Sequence, residues 1–464
     1  MNSLNLRFTP PHPLSLTVLQ RLTNLACSAL LALPAVVGMS SSAAAQAPTR
    51  LNAEVDRRAR AIEAKVVAWR RDIHQHPELG NREFRTAKLV AEHLQKLGIE
   101  VKTGVAHTGV VGVLKGGKPG PVVALRADMD ALPVAEEVDL PFKSAVRTTY
   151  NGQDVGVMHA CGHDNHVAIL MGVAEILAGI RQELQGTVKF IFQPAEEGAP
   201  TGETGGAELM LKEGAFENPK VDAVFGLHVF PFETGKIVYR SGGLMASSDG
   251  FRVVIRGRQT HGALPWSGID PITISAQIIG NIQSIVSRQT DLTLTPAILT
   301  VGYIRGGVRI NIIPDSVEFG GTIRTFDEPT RDSIHARFRR IVSGMAIANG
   351  ATATIELTRG TPVTYNDPAL TEQMVPSLRR ALGDANVELG RQTTTSEDFS
   401  LFQKQVPGLF VFLGVTPKGT DPAKIAPNHS PRFFADEAAL VPGMKALSAL
   451  AMDYLAMHAS KTKL

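Results

Sequence analysis

Val122-Val123-Ala124-Leu125-Arg126-Ala127-Asp128-Met129-Asp130 is a run of four apolar residues that leads straight into a cluster of charge. A short apolar run with β-branched residues predicts a buried strand, and the polar residues after it predict a site at the strand's end. The same pattern recurs twice. Residues 188–192 lead into Gln193-Pro194-Ala195-Glu196-Glu197-Gly198, and residues 221–225 into Gly226-Leu227-His228. Between the first two runs, residues 166–180 read as a buried helix. Strands that alternate with helices predict an α/β domain with a mixed, largely parallel sheet flanked by helices. In such sheets sites form beyond the carboxyl ends of the strands, so these clusters are expected to converge in space.

Outward from this centre, residues 51–71 predict an amphipathic helix, with Val55, Ala59, Ile62, Val66 and Trp69 at helical spacing. A second helix is expected from about Glu83 to Leu97, stopped by Gly98. Strands are expected at 110–114, 122–126, 187–192 and 221–227, the last closed by His228. From Asp249 the pattern changes. Strand 251–255, helix 272–288, strands 297–303 and 317–323, helix 330–348 and strand 352–357 make a β-α-β-β-α-β unit. That order predicts a ferredoxin-like α+β domain, inserted as residues 249–360 into a catalytic domain of 46–248 and 361–464. The chain is then expected to close with a helix near 369–382, a strand at 409–413 and a helix from 436 to about 454.

Chemistry concentrates in His159-Ala160-Cys161-Gly162-His163-Asp164-Asn165-His166. Of the two cysteines, Cys27 lies near the amino terminus, so Cys161 is expected to be unpaired: a metal ligand or a nucleophile. Thiolate, imidazole and carboxylate together suit zinc or a similar first-row metal. Glu196-Glu197 adds what hydrolysis needs: one carboxylate can bind metal while its neighbour takes a proton from activated water. His228 and His429, in Pro427-Asn428-His429-Ser430-Pro431, are further ligand candidates, and Asp128 and Asp130 can orient ligands. A rival reading makes Cys161 the nucleophile with His163 or His159 as its base; it leaves Glu196, Glu197 and His228 without roles.

The first 45 residues read as a secretory signal: Arg7 and Arg21 with no acid, an apolar run over 25–39, then Ser40-Ser41-Ser42-Ala43-Ala44-Ala45. The apolar run is short for a membrane span. A secreted or periplasmic protein with no membrane anchor after processing is expected. Across 464 residues the hydrophobic fraction is 44%, the charged fraction 20% and the formal charge +3. That balance does not point to a nucleic-acid partner.

These blocks resemble the M20 metallopeptidase family, in the branch of N-acyl-amino-acid amidohydrolases that includes hippurate hydrolases and auxin-conjugate hydrolases. The similarity runs from Trp69-Arg70-Arg71-Asp72-Ile73-His74 to His429-Ser430-Pro431-Arg432-Phe433. Its most specific marks are Met158-His159-Ala160-Cys161-Gly162-His163-Asp164, Gln193-Pro194-Ala195-Glu196-Glu197-Gly198, Gly226-Leu227-His228 and Ser396-Glu397-Asp398-Phe399. The resemblance implies two divalent metal ions: zinc, with manganese, cobalt or nickel as alternatives. Cys161 would bridge them, Glu197 and His429 would complete one site, and His163 and His228 the other. Glu196 would be the general base and acid, and Asp128 would support the ligands. In the lid, His261 would help polarise the scissile carbonyl, in some relatives from the partner subunit, and Asn311 and Arg324 would hold the substrate carboxylate. A homodimer through the lid is implied too. The implied reaction is hydrolysis of the amide of an N-acyl or N-aroyl amino acid. A dipeptidase or carboxypeptidase, or a metal-binding relative without catalysis, are the alternatives. Departures from the pattern lie at Asn165, Val167, Gln259-Thr260, Pro265-Trp266 and Arg309. None removes a ligand; those near His261 and Asn311 bear on substrate choice.

Overall fold

The computed structural model describes residues 42–459. The expected signal segment therefore lies, up to residue 41, outside the described residues. No described helix is long and apolar enough to cross a membrane.

An eight-stranded sheet organises the catalytic part, in the order Glu100–Val105, Gly109–Lys115, Gln185–Gln193, Lys118–Asp128, Ala223–Glu233, Gly408–Thr416, Ile237–Tyr239 and Val387–Leu389. The four central strands run parallel, and the two at one edge are antiparallel hairpin partners. The sheet is thus mixed with a parallel centre. Every residue of Gly408–Thr416 is buried, because helices or loops cover both faces of that strand. One face carries the larger core, with His163–Ala178 and Leu440–His458 packed against it; the other carries a smaller, Phe-rich core.

Three differences from the sequence reading bear on the site and its supports. The helix expected over 51–71 is two, Ser42–Ala61 and Glu63–Gln75, because Ile62 leaves helical geometry at φ −103° and ψ 2°. The central helix begins at His163, three residues earlier than expected, directly after Gly162. Strand Ala223–Glu233 does not stop before His228 but runs through it, because His228 pairs in register with Phe412 of the parallel neighbour. The strands expected at 122–126 and 187–192 also run further, to Asp128 and Gln193, which are their last residues.

The inserted unit is a four-stranded antiparallel sheet, ordered Ala297–Gly306, Ser316–Thr325, Asp249–Arg256 and Thr352–Arg359, with helices Pro271–Gln289 and Glu328–Ala348 packed against it. It has its own apolar core, from Val253 and Ile278 to Phe319 and Phe338. The two chain crossings into this lid are tied together at Asp249. Its carboxylate accepts from Arg331 Nε at 2.8 Å and from the Gly360 amide at 3.1 Å, and lies 2.8 Å from His335 Nε2. This buried clamp fixes the end of strand Ser316–Thr325 and hence the placement of Arg324.

Candidate metal and catalytic centre

Gly162 sets the geometry of the ligand loop. Its φ is +87°, and a Cβ there would lie 2.3 Å from Val229 Cγ2, so both conformation and space require glycine. The left-handed turn starts the helix at His163 and leaves Cys161 beside it. Behind the loop, Asp164 in the first helical turn accepts from His74 Nδ1 at 2.9 Å and pairs with Arg70 Nε at 2.8 Å. His74 Nε2 reaches Glu136 at 3.1 Å. This buried network pins the loop to helix Glu63–Gln75, and a negative residue at a helix N-terminus is favoured besides.

The five residues expected as ligands come together. Cys161 Sγ lies 3.3 Å from His228 Nε2, and His429 Nε2 lies 3.0 Å from Glu197 Oε1. His163 Nε2 lies 3.9 Å from the same Glu197 oxygen. Each central histidine is oriented by its other nitrogen: His163 Nδ1 donates to the Asp130 carbonyl at 2.8 Å, and His228 Nδ1 to the Val229 carbonyl at 2.7 Å. That leaves His163 Nε2 unpartnered among the described residues and turns His228 Nε2 toward Cys161 Sγ. His166 stands close by but is spoken for, since Nδ1 bonds Asp128 and Nε2 accepts the Val229 amide at 2.8 Å. Asp128 therefore supports the centre through His166 and Arg126.

The Glu196-Glu197 turn is pinned from both sides. Ala195 is left-handed at φ +50°, its amide donates to Glu83 Oε1 at 2.9 Å, and the Glu197 amide donates to Asp130 Oδ2 at 2.9 Å. Glu83 is itself held by Thr108 Oγ1. Behind Glu196 lies a buried cation. Arg126 donates to Gln193 Oε1 at 2.8 Å, Glu397 Oε1 at 2.9 Å and Asp398 Oδ1 at 3.0 Å, besides Asp128.

Buried carboxyls outnumber the cations around this centre. Burial, followed by the charges of Glu397, Glu197 and Asp398, pushes the Glu196 carboxyl well above the usual range. Burial and the Asp130 charge push Glu83 up to about 8. Burial drives Glu397 to about 8 and Asp398 to about 6 despite Arg126. Burial opposes charge on His163, yet Asp128 and Asp130 outweigh it and raise His163 to about 10. Glu197 is also penalised by burial, but the hydrogen bond from His429 and the His163 charge keep it low. Burial and the carboxylates of Glu197 and Glu196 push the Cys161 thiol up, and burial pushes His228 well down. Cys161 Sγ meets His228 Nε2 and not His163 or His159, the bases the thiol rival requires, which weighs against that rival.

These residues fit a divalent-metal centre. His163 Nε2 is buried and has no hydrogen-bond partner among the described residues. Cys161, Glu197 and His429 offer ligand atoms within 4.8 Å of one another, as do Asp128, His163, His166 and His228. A soft thiolate with imidazoles and carboxylate is the donor set of a first-row metal, and cations would offset the excess of acid.

A cavity of about 240 Å³ opens on this centre. Cys161, Glu196, Glu197, His228 and His429 line it, with Phe230, Met245, Arg324 and Asn428. Of the three lid residues expected at the site, Arg324 is therefore present. His261 and Asn311 are not among the lining residues. Both are exposed, and they sit together where the Gly262 amide donates to the Asn311 carbonyl at 2.8 Å and His261 pairs with Ile312.

The sequence reading missed Glu83, Asn428 and the roles of Arg126, Glu397 and Asp398. Arg126 lies in the run 122–130 and Glu397-Asp398 in the block Ser396–Phe399, but the pairing of Arg126 with Glu397 spans 271 positions. The one signal was a charged residue, Arg126, inside an otherwise apolar strand: a buried charge demands a partner.

Residues 124–453 match the peptidase family M20/M25/M40. Thermostable carboxypeptidase 1 of Saccharolobus solfataricus is 42% identical over 398 residues, which cover 85% of this chain and 96% of that protein. The N-acetylcysteine deacetylase of Bacillus subtilis is 38% identical over 404 residues, covering 85% of this chain and 98% of the deacetylase. A dinuclear metal-binding peptidase of the M20 family, also from Bacillus subtilis, has a similar structure, with a TM-score of 0.72 at 35% identity, covering 86% of this chain and 99% of its own.

Proposed function

The chain belongs to the peptidase family M20/M25/M40 and is a metal-dependent amidohydrolase or peptidase, and on that premise we propose that it hydrolyses the amide of N-acyl or N-aroyl amino acids. The observation that carries this reading is the cavity itself, where Glu196, four of the five ligand residues (Cys161, Glu197, His228 and His429) and Arg324 line one space.

Arg324 Nη1 is buried with no hydrogen-bond partner among the described residues. A desolvated guanidinium is matched by a carboxylate, with which it can make two parallel bonds. The free carboxylate of an N-acyl amino acid supplies one. Held there, the substrate presents its amide towards Glu196, with Phe230 and Met245 offering apolar wall to the acyl group.

Cys161, Glu197 and His429, which cluster, would hold one ion, and His163 and His228, with Cys161 Sγ 3.3 Å from His228 Nε2, the other, with zinc the metal of choice and manganese, cobalt or nickel the alternatives. When bound, such ions supply Lewis-acid charge that polarises a carbonyl and acidifies water. The protein's own part is proton transfer and placement. Glu196 takes a proton from the attacking water and returns it to the leaving nitrogen, so that the amine departs neutral. Asp128, through His166 and Arg126, keeps the surroundings rigid.

His261 and Asn311, as a polarising group and a carboxylate anchor, would act on the cavity of a second copy. Support for such a lid-mediated homodimer comes from the lid's surface. Leu294, Val308 and Ile310 are exposed at 82%, 97% and 106%, close in sequence to the ends of the sheet-edge strand Ala297–Gly306. Export to the periplasm or beyond belongs to the same reading and rests on the basic, apolar and small-residue order of residues 1–45.

A carboxypeptidase is the second reading, favoured by the 42% identity to the Saccharolobus solfataricus protein. Both need a substrate carboxylate and differ on the acyl side. Purified enzyme is expected to cleave N-acetyl or N-benzoyl amino acids well and their unblocked dipeptide counterparts poorly. The reverse order of kcat/KM would favour the peptidase, and equal cleavage of an N-acyl amine without a carboxylate would remove the role of Arg324.

A further inference from the structure

Asn428 has no role in the reading above, yet one side chain joins three parts of the centre. Its Nδ2 donates to the Cys161 carbonyl at 3.1 Å and to the Val229 carbonyl at 3.2 Å, and lies 3.8 Å from Cys161 Sγ. Its neighbour His429 is left-handed at φ +69°, and the His429 amide donates to the Ala160 carbonyl at 2.8 Å. The segment bearing His429 is thus sewn to the loop bearing Cys161 and to the strand bearing His228. The carboxamide has one sensible orientation, because turning it over would face its oxygen towards two carbonyls and a sulfur.

We propose that Asn428 is a positioning residue of the metal centre, whose N–H group fixes the Cys161 sulfur and holds the Cys161, His228 and His429 segments in register. A hydrogen bond to a thiolate sulfur draws electron density from it, and groups that orient or hydrogen-bond ligands change metal affinity about 10- to 100-fold when removed. The inference rests on Cys161 being a metal ligand.

The test uses the full chain reconstituted with cobalt. Thiolate-to-cobalt charge transfer absorbs in the near ultraviolet, and its energy follows the electron density on sulfur. In the parent protein this band is expected; its absence would mean that Cys161 is not a ligand, an outcome that overturns the ligand assignment itself. Asn428→Ala removes the donor and is expected to shift the band to longer wavelength and to weaken cobalt retention against a competing chelator about tenfold. Asn428→Asp keeps the shape but sets a carboxylate oxygen against the sulfur and both carbonyls, and is expected to weaken retention more than alanine does. If the aspartate variant matches the parent in band position and retention, Asn428 only fills space and the proposal fails. An unshifted band in the alanine variant overturns it too. Should the alanine variant not fold, the comparison of aspartate with parent decides alone.

Discussion

Glu196→Gln is expected to lower kcat by a factor of about 100 to 10,000 while leaving metal content and thermal stability near those of the parent. Glutamine keeps the volume of the side chain and its contact near the Asp398 amide, 3.5 Å from Glu196 Oε1, but it cannot accept and return a proton. The five ligand residues are untouched, so elemental analysis should find the same stoichiometry. The loss belongs in kcat, because Arg324 and the apolar wall still hold the substrate ground state. Near-normal kcat in Glu196→Gln would remove the proton shuttle from the account. A fall in bound metal would show instead that Glu196 is a ligand.

Arg126→Met is expected to cost about 3–5 kcal/mol of stability, the range for breaking a buried ion pair from one side. Arg126 is among the largest fully buried side chains, and its loss leaves Asp128, Glu397 and Asp398 without their shared cation. The penalty should depend on pH with a definite sign. Glu397 already stands at about 8 in the folded protein, from burial first and the Asp128 charge, against an ordinary 4.5. A carboxyl raised on folding binds more protons in the native than in the unfolded state between those values, so stability falls as pH rises through that window. Without Arg126 that slope steepens, and the variant should lose more at pH 8 than at pH 5. Lysine should not restore the parent, since a compact ammonium with three donors cannot span the four acceptors that the planar guanidinium reaches. Chemical denaturation at the two pH values reads the result. A loss below about 1 kcal/mol at both would show that the carboxyls reorganise and that Arg126 is not what holds them.

The strands and helices of residues 249–360 were legible because each carries its own periodicity. Residues 249–360 alternate strand and helix patterns whose β-α-β-β-α-β order admits few arrangements, and the observed order of strands is that of a ferredoxin-like sheet. The candidate site residues were legible for a different reason: Cys161 and His163 stand in a dense cluster of His, Cys and Asp, and Glu196-Glu197 follows an apolar run. What pins them was not. His228 looked like a strand-end residue because the strand that prolongs its own, Gly408–Thr416, lies about 180 positions away. Asn428 differs from any surface asparagine only in which carbonyls it meets, and Glu83 only in meeting Ala195 and Thr108. Long-range pairing of single polar side chains leaves no period in a sequence. His261 and Asn311 show the converse: their motif was readable, but within one copy they do not line the cavity.

The central claim is that this chain cleaves amides with the help of metal held by Cys161 and its neighbours. The most direct test is release of free amino acid from hippurate and a small panel of N-acetyl amino acids, with enzyme as purified, after a chelator, and after restoring Zn²⁺ or Mn²⁺. The account predicts release that the chelator abolishes and added metal restores, alongside loss and recovery of two ions per chain by elemental analysis. Undiminished hydrolysis by protein shown to be free of metal would contradict it, as would no hydrolysis of any substrate by protein shown to hold two ions.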